Sequence, residues 1–544
     1  MSSINTPTAP GTPAYARRWY ILAVLCLSLM IVTVGNASLN VTLPTLSREL
    51  GATESQLQWV VAVYSLVFAG LLFTTGAIGD RFGRKGALQL GLLIVLVAVI
   101  LASMSDSMWQ LIACRALMGL GAALIMPSTL SILINVFPPH ERTKAIAIWA
   151  SVTGAGGALG QVISGVLLGH FWWGSVFLVN VPLVLLALVG GYFLLPLSRD
   201  PEESPLDPGG AALSTIGVVA LVYALIEAPE KGWTDSATIA AFAVCAVFMV
   251  AFVLYERRAD DPMIDMSYFR NPAFSVATGC MILMFLSMYG LIFLLTQFLQ
   301  LVQGNSALSA AMRVLPTALI ILCVSPFTPR LSAKLGGANR AVALGMTLAA
   351  IGLFSFATLE ADTPYLRLII GFCIFSVGMA MTMSPMTAAI MSAVPPRRAG
   401  AGSSMNDTTR ELGSALGIAV LGSIAATHYS NAVSRSADSA LSGTDAASAK
   451  VSLANALEHA AKLPTAAGQT LTKAADQAYI GGLHLAVLVG GVLASGAAVL
   501  VLKLLPRTLM HRGGTRQVLD AAVVVPSGDF PSDLAGANLL SSEV

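Results

Sequence analysis

The sequence predicts an all-α polytopic membrane protein with fourteen transmembrane helices, and three observations predict it. Only 11% of the 544 residues are charged, against about 25% in ordinary soluble domains, so a water-exposed shell cannot be assembled from them. Fourteen apolar runs recur along the chain, each near the roughly 20 residues that cross a bilayer. The lysines and arginines between those runs fall almost entirely in alternate loops, which is how orientation in a membrane is encoded.

In order, the runs occupy residues 19–43, 56–79, 87–104, 108–134, 143–169, 176–196, 210–228, 236–255, 273–302, 308–329, 341–358, 364–391, 402–427 and 478–503. The first is too long for a signal-peptide core and has no small-residue cleavage site after it, so it is expected to stay as helix 1. With the amino terminus inside, the short inner loops hold fourteen Lys and Arg residues, among them Arg81, Arg84, Lys85, Arg199, Arg397 and Arg398. The short outer loops hold two, Arg48 and Lys231. A span missed or invented mid-chain would destroy this bias, so both ends are expected in the cytoplasm. Residues 428–477 are rich in Ala and Ser, with a weak helical stripe of Val451, Leu453, Leu457, Ala460 and Leu463. They read either as an outer cap or as a disordered spacer. Beyond Pro506 the tail carries Arg507, Arg512 and Arg516, suited to an anionic inner surface, and then loses all pattern.

Composition excludes several functions. A net charge of +2 gives no basic footprint for nucleic acid. The six cysteines sit in apolar runs without a CxxC and are expected to be free, buried, small hydrophobes. There is no GxxxxGK[ST] loop, no HExxH and no Cys/His ligand spacing, so neither ATP hydrolysis by that route nor a metal site is expected. The chain is not expected to be an enzyme or to hold a cofactor.

The second and third runs are joined by GAIGDRFGRKGAL, Gly76–Leu88, which packs a carboxylate, three cations and several glycines into one tight connection. This resembles the major facilitator superfamily, whose signature between helices 2 and 3 reads G, small, L/I, x, D, R, x, G, R, K. Further motifs follow in order. They are LIACRALMGLGAA with Arg115 in run 4, GAGGALGQVISGVLLG in run 5, HFWWGSVFLVNVP at His170–Pro182, Thr296–Pro316 and Ser384–Ser423. Together they resemble the fourteen-helix drug:proton antiporter branch across helices 1–14. That template implies a six-helix bundle over residues 19–197, inserted helices 7 and 8 over 198–272, and a second bundle over 273–503, between cytoplasmic tails 1–18 and 504–544. It also implies a bacterial cytoplasmic membrane, a latch formed by Asp80, Arg81, Gly83 and Arg84, and a role for Arg115 in proton coupling or substrate access.

An arginine in mid-membrane costs at least about 2.5 kcal/mol, so Arg115 must face a cavity or a partner, or else brace backbone carbonyls. In run 5, Gly156, Gly160 and Ser164 recur every four positions, the spacing that lets two helices approach closely. Gln161 stands there where the antiporter motif has proline, and Ser164 where it has a glycine. The larger departure is in run 1, where VGNASLNVTLP has Gly35 in place of the branch's usual aspartate. Asn36 and Asn40, on one helix face, hydrogen-bond but hold no proton charge.

Run 13 offers a replacement. Asp407 and Glu411 share a face and Arg410 can pair with Asp407, which leaves Glu411 as the better proton carrier. Alternatively all three form an ordinary ion cluster in the headgroup region. The site is therefore expected to comprise Glu411, Asp407 and Arg115 for proton coupling, and Asn36, Asn40, Tyr64, Gln161, Tyr289 and Gln297 for substrate. The expected activity is efflux of hydrophobic or amphipathic compounds in exchange for protons, driven by the proton gradient. The alternatives are a dedicated lipid or metabolite exporter and a non-transporting sensor. A monomer in the lipid bilayer is expected, and nothing indicates a periplasmic adaptor.

Overall fold

The computed structural model describes residues 13–198, 207–259, 262, 264–394 and 399–505. Arg199, Arg397, Arg398, Arg507, Arg512 and Arg516 lie outside the described residues. Long helices carry the chain back and forth: α1 (Arg18–Glu49), α2 (Glu54–Phe82), α3 (Arg84–Ser103), α4 (Met108–Val136), α5 (Pro139–His170), α6 (Asn180–Leu194), α7 (Pro208–Lys231), α8 (Ser236–Glu256), α9 (Pro272–Gln297), α10 (Ala307–Val324), α11 (Ala338–Phe356), α12 (Tyr365–Ala393), α13 (Ala399–Ala440) and α14 (Thr465–Leu504). Thirteen helices among the described residues are long and apolar enough to cross a membrane. The fourteenth, α5, has 32 residues and lies along α1.

Helix starts follow local chemistry. Thr53 and Gln56 form a reciprocal capping box at α2, and Asp207, Asp235, Asn271 and Ser306 accept from first-turn amides of α7, α8, α9 and α10. Between α2 and α3 the chain turns on Gly83 at φ +122°, a conformation that side-chain-bearing residues rarely adopt. Lys85 then reaches the last carbonyls of α6, donating to Tyr192 at 2.7 Å and Leu195 at 3.0 Å.

Packing repeats with an offset of eight helices. α1 lies on α5 as α9 lies on α13, α2 on α4 as α10 on α12, α3 on α4 as α11 on α12, and α3 on α6 as α11 on α14. The two sets meet through α2 with α13 and α5 with α10. The α7–α8 pair leans on this junction through α7, which touches α2 and α13, while α8 buries only Thr238, Phe252 and Glu256. The expected close approach of α5 holds: a Cβ added at Gly160 would sit 2.8 Å from the Val34 carbonyl oxygen, and one at Gly156 would collide with Thr33.

Residues 428–477 are helical, in line with their weak stripe and against the disordered alternative: α13 continues to Ala440, short helices Gly443–Val451 and Leu453–Lys462 follow, and α14 starts at Thr465. Alanine is the best helix former and carries this segment although its apolarity is low. Leu453 and Ala460 of the expected stripe are buried, and the Tyr429 hydroxyl donates to the Ala449 and Ser452 carbonyls, fastening the short helices to α13. All six cysteines are free, yet only Cys114 and Cys280 are buried and Cys323 is exposed, since an apolar helix in lipid needs no protein cover. Glu227, near the end of α7, is buried between α7 and α2, where it accepts from Trp59 Nε1 at 2.8 Å and pairs with Lys231 at 3.0 Å.

Candidate functional site

A cavity of about 200 Å³ lies where α1, α2, α5, α9, α10 and α13 converge. Of the expected substrate residues, Asn36, Asn40, Tyr64, Gln161 and Tyr289 line it. Gln297 does not. It lies beyond the cavity and donates from Nε2 to Glu54 Oε1 at 3.1 Å. The apolar wall comes from Val32, Phe68, Met126, Met288, Ile292 and Ile321. Phe68 was legible from its spacing of four from Tyr64, and the two rings meet edge to face at 6.0 Å.

Among the described residues the charged wall comes from α13 alone. Asp407, Arg410 and Glu411 all face the cavity. Asp407 Oδ1 lies 3.7 Å from Arg410 Nη1, and the guanidinium sits over the Phe285 ring at 5.0 Å. Glu411 turns the other way, accepting from the Ser65 hydroxyl at 2.6 Å. That bond joins α13 to α2 and so crosses between the two helix sets. Ser65 was missed in the sequence, since a lone serine in an apolar run carries no signal without knowledge of what packs against it.

Arg115 is fully buried behind the α1 and α2 walls. Its guanidinium donates to the Val60 carbonyl at 3.1 Å, the Gly35 carbonyl at 3.2 Å and Asn36 Oδ1 at 3.2 Å, and stacks over Tyr64 at 4.5 Å. The carbonyl-bracing alternative describes what it touches, and through Asn36 and Tyr64 it holds two lining side chains in place. At the α2–α3 turn the Arg84 amide donates to the Ser198 carbonyl at 3.0 Å, and Arg81 stacks on Phe82 at 5.6 Å. The side chain of Asp80 lies outside the described residues.

The cavity is sealed toward the end where α2 begins. Gln297 meets Glu54 there, Gln300 Nε2 donates to the Val41 carbonyl at 2.9 Å, and α10 presses on α5, where a Cβ at Gly165 would sit 2.6 Å from the Leu308 Cα.

The sequence profile described as Major Facilitator Superfamily matches residues 25–418. The chain belongs to the major facilitator superfamily. Within it, this facilitator is 34% identical to the multidrug efflux pump LfrA of Mycolicibacterium smegmatis, over 91% of this chain and 98% of that one. It is 31% identical to the tetracenomycin C resistance and export protein of Streptomyces glaucescens, over 91% and 93%. It is 33% identical to the methyl viologen resistance protein SmvA of Salmonella typhimurium, over 85% and 93%. Among solved structures, a bacterial homolog of the human lysosomal transporter Spinster, inward-facing and unoccupied, superposes with a TM-score of 0.63 at 17% identity, over 89% of this chain and 98% of that one. The protein is thus an all-helical multi-pass membrane transporter of the fourteen-helix branch and not an enzyme.

Proposed function

We propose that this facilitator exports hydrophobic or amphipathic drug-like compounds across a bacterial cytoplasmic membrane in exchange for protons, with both termini cytoplasmic. The observation that carries the reading is the bond from Ser65 to Glu411: the carboxylate on the cavity wall is also the group that links the two helix sets. Hydrogen bonds to a charged group contribute roughly 1.5–3 kcal/mol. One proton crossing about 100 mV supplies about 2.3 kcal/mol, the same scale and enough for a roughly 50-fold gradient of a neutral substrate. Protonation and substrate entry therefore act on one contact, and its making and breaking accompanies the rocking of the two bundles around a central site.

In this scheme Glu411 carries the proton and Asp407 stays paired with Arg410. Arg115 positions Asn36 and Tyr64, and Asn36, Asn40, Tyr64, Gln161 and Tyr289 meet the substrate. Asp80, Arg81, Gly83 and Arg84 form the latch at the inner end. The names of the relatives support drug-like cargo. The dedicated exporter of a lipid or metabolite draws on a different feature, the absence of an acid at Gly35, beside α1 lining residues Val32, Thr33, Asn36, Ala37 and Asn40 that are themselves uncharged.

The test is ethidium transport into energised everted vesicles with and without a protonophore. Protonophore-sensitive transport should fall at least tenfold in Glu411→Gln and be partly kept in Asp407→Asn. Transport unchanged in Glu411→Gln would remove the proton role from α13. No ethidium movement in the wild type, with a neutral lipid or metabolite carried instead, would favour the second reading.

A further inference from the structure

A second pocket, of about 290 Å³, opens at the end where α2 begins, between α2, α7, α13 and the short helix Gly443–Val451. It lies on the far side of the Gln297–Glu54 contact from the central cavity and shares no lining residue with it. Glu54, Glu230 and Gln58 supply its polar wall and Ile226, Pro229 and Val451 its apolar one. Gln58 is fully buried (0% exposed), and neither its Nε2 nor its Oε1 has a hydrogen-bond partner among the described residues. A buried amide with both ends unpaired is costly, of the order of 1–3 kcal/mol for each group, unless something else meets it. Its position is built in by Gly422 of α13, where a Cβ would lie 2.8 Å from the Gln58 Cδ.

The pocket wall carries two carboxyl groups, Glu54 and Glu230, and one ammonium, Lys450. The Lys450 ammonium is held by Asp438 at 2.7 Å, whereas among the described residues Glu230 accepts only a long bond from the Ser55 amide at 3.4 Å. Glu54 keeps one oxygen on Gln297 and offers the other. We propose that this pocket is a second binding site, for a small organic monocation that sets its ammonium on Glu54 and Glu230 and a further polar group on the Gln58 amide. Its apolar body rests on Ile226, Pro229 and Val451. The inference goes beyond the efflux reading and does not depend on proton coupling.

The test is equilibrium binding of radiolabelled tyramine, a protonated amine with a distal hydroxyl, to the purified full chain in lipid nanodiscs. Glu230 is exposed, so Glu230→Gln is expected to fold. Saturable binding should weaken at least tenfold in Glu230→Gln and in Gln58→Met, and change less than twofold in Glu411→Gln, whose side chain lines only the central cavity. If Gln58→Met fails to fold, Glu230→Gln decides. Absence of saturable binding, wild-type binding in Glu230→Gln, or loss of binding in Glu411→Gln would each overturn the site.

Discussion

The α1–α5 joint and the α9–α13 joint are the same construction made twice, with different cargo. In the first, Gly156 and Gly160 of α5 bring it against Thr33 and Val34 of α1. In the second, Gly413 and Gly417 of α13 bring it against the backbone of α9, where a Cβ at Gly413 would sit 2.6 Å from the Ile282 carbonyl oxygen and one at Gly417 would collide with that of Leu286. Close backbone approach needs the same small residues in both. The polar groups differ: the first joint offers the cavity Asn36, Asn40 and Gln161, the second Asp407, Arg410 and Glu411. The scaffold is symmetric and the charge is not: the charged side chains on the cavity wall lie on one side while shape is shared by both.

The largest effect should come from spoiling one joint. Gly417→Val places branched carbons inside the Leu286 backbone, beyond the roughly 1–3 kcal/mol of ordinary overpacking. Folded protein, followed by fluorescence size exclusion, should be nearly lost. Gly279→Val, on the same joint's α9 but with open space around it, should express as wild type. Equal loss in both would mean that the glycines do not set the approach.

Next comes the buried cation of the uncharged side. Arg115→Met removes three donated bonds, and with charge-assisted bonds at roughly 1.5–3 kcal/mol each, stability should fall by about 3 kcal/mol or more. Thermal unfolding in detergent reads this. Arg115→Lys keeps the charge without the planar fork. It should lower the melting temperature by less and keep transport per folded molecule, and transport lost with stability intact would give Arg115 a role beyond bracing.

Gly35→Asp puts a carboxylate on the uncharged side. A Cβ there meets only the Met118 Cε, at 3.5 Å, and the guanidinium that already bonds the Gly35 carbonyl supplies a counter-charge. Efflux of a dication such as methyl viologen should rise several-fold relative to ethidium. No change in that ratio would show that the asymmetry does not govern charge selectivity. The smallest effect is expected at the α2–α3 turn, where Lys85→Met should cost roughly 0.3–1 kcal/mol by uncapping α6, read as a small drop in melting temperature with efflux unaltered.

What the sequence disclosed follows from how each signal accumulates. A membrane span sums hydropathy over about twenty residues, so the path of the chain was legible, and spacing alone placed Asn36 with Asn40 and Asp407 with Glu411 on shared faces. The glycine spacing of α5 announced its close contact. The helical continuation of α13 was hidden because apolarity was sought in an alanine-rich stretch where helix propensity was the informative quantity. Gln297 was misplaced for a different reason. Polar residues in a span read alike whether they face a cavity or a seal, and only the packing of α9 against α2 sends this one to Glu54. Ser65 and the bracing contacts of Arg115 depend on partners 346 and 55–80 residues away, beyond any local pattern.

The long α13 and α14, of 42 and 40 residues, reach about 60 Å at 1.5 Å per residue, twice a hydrocarbon core of roughly 30 Å. Together with the two short helices fastened by Tyr429 their ends make a helical extension continuous with the helix that bears Glu411. An antibody fragment gripping that extension would give the particle an alignment mark for electron microscopy. A fluorophore at the far end of α13 would magnify small tilts of the helix into displacements large enough to follow one molecule at a time.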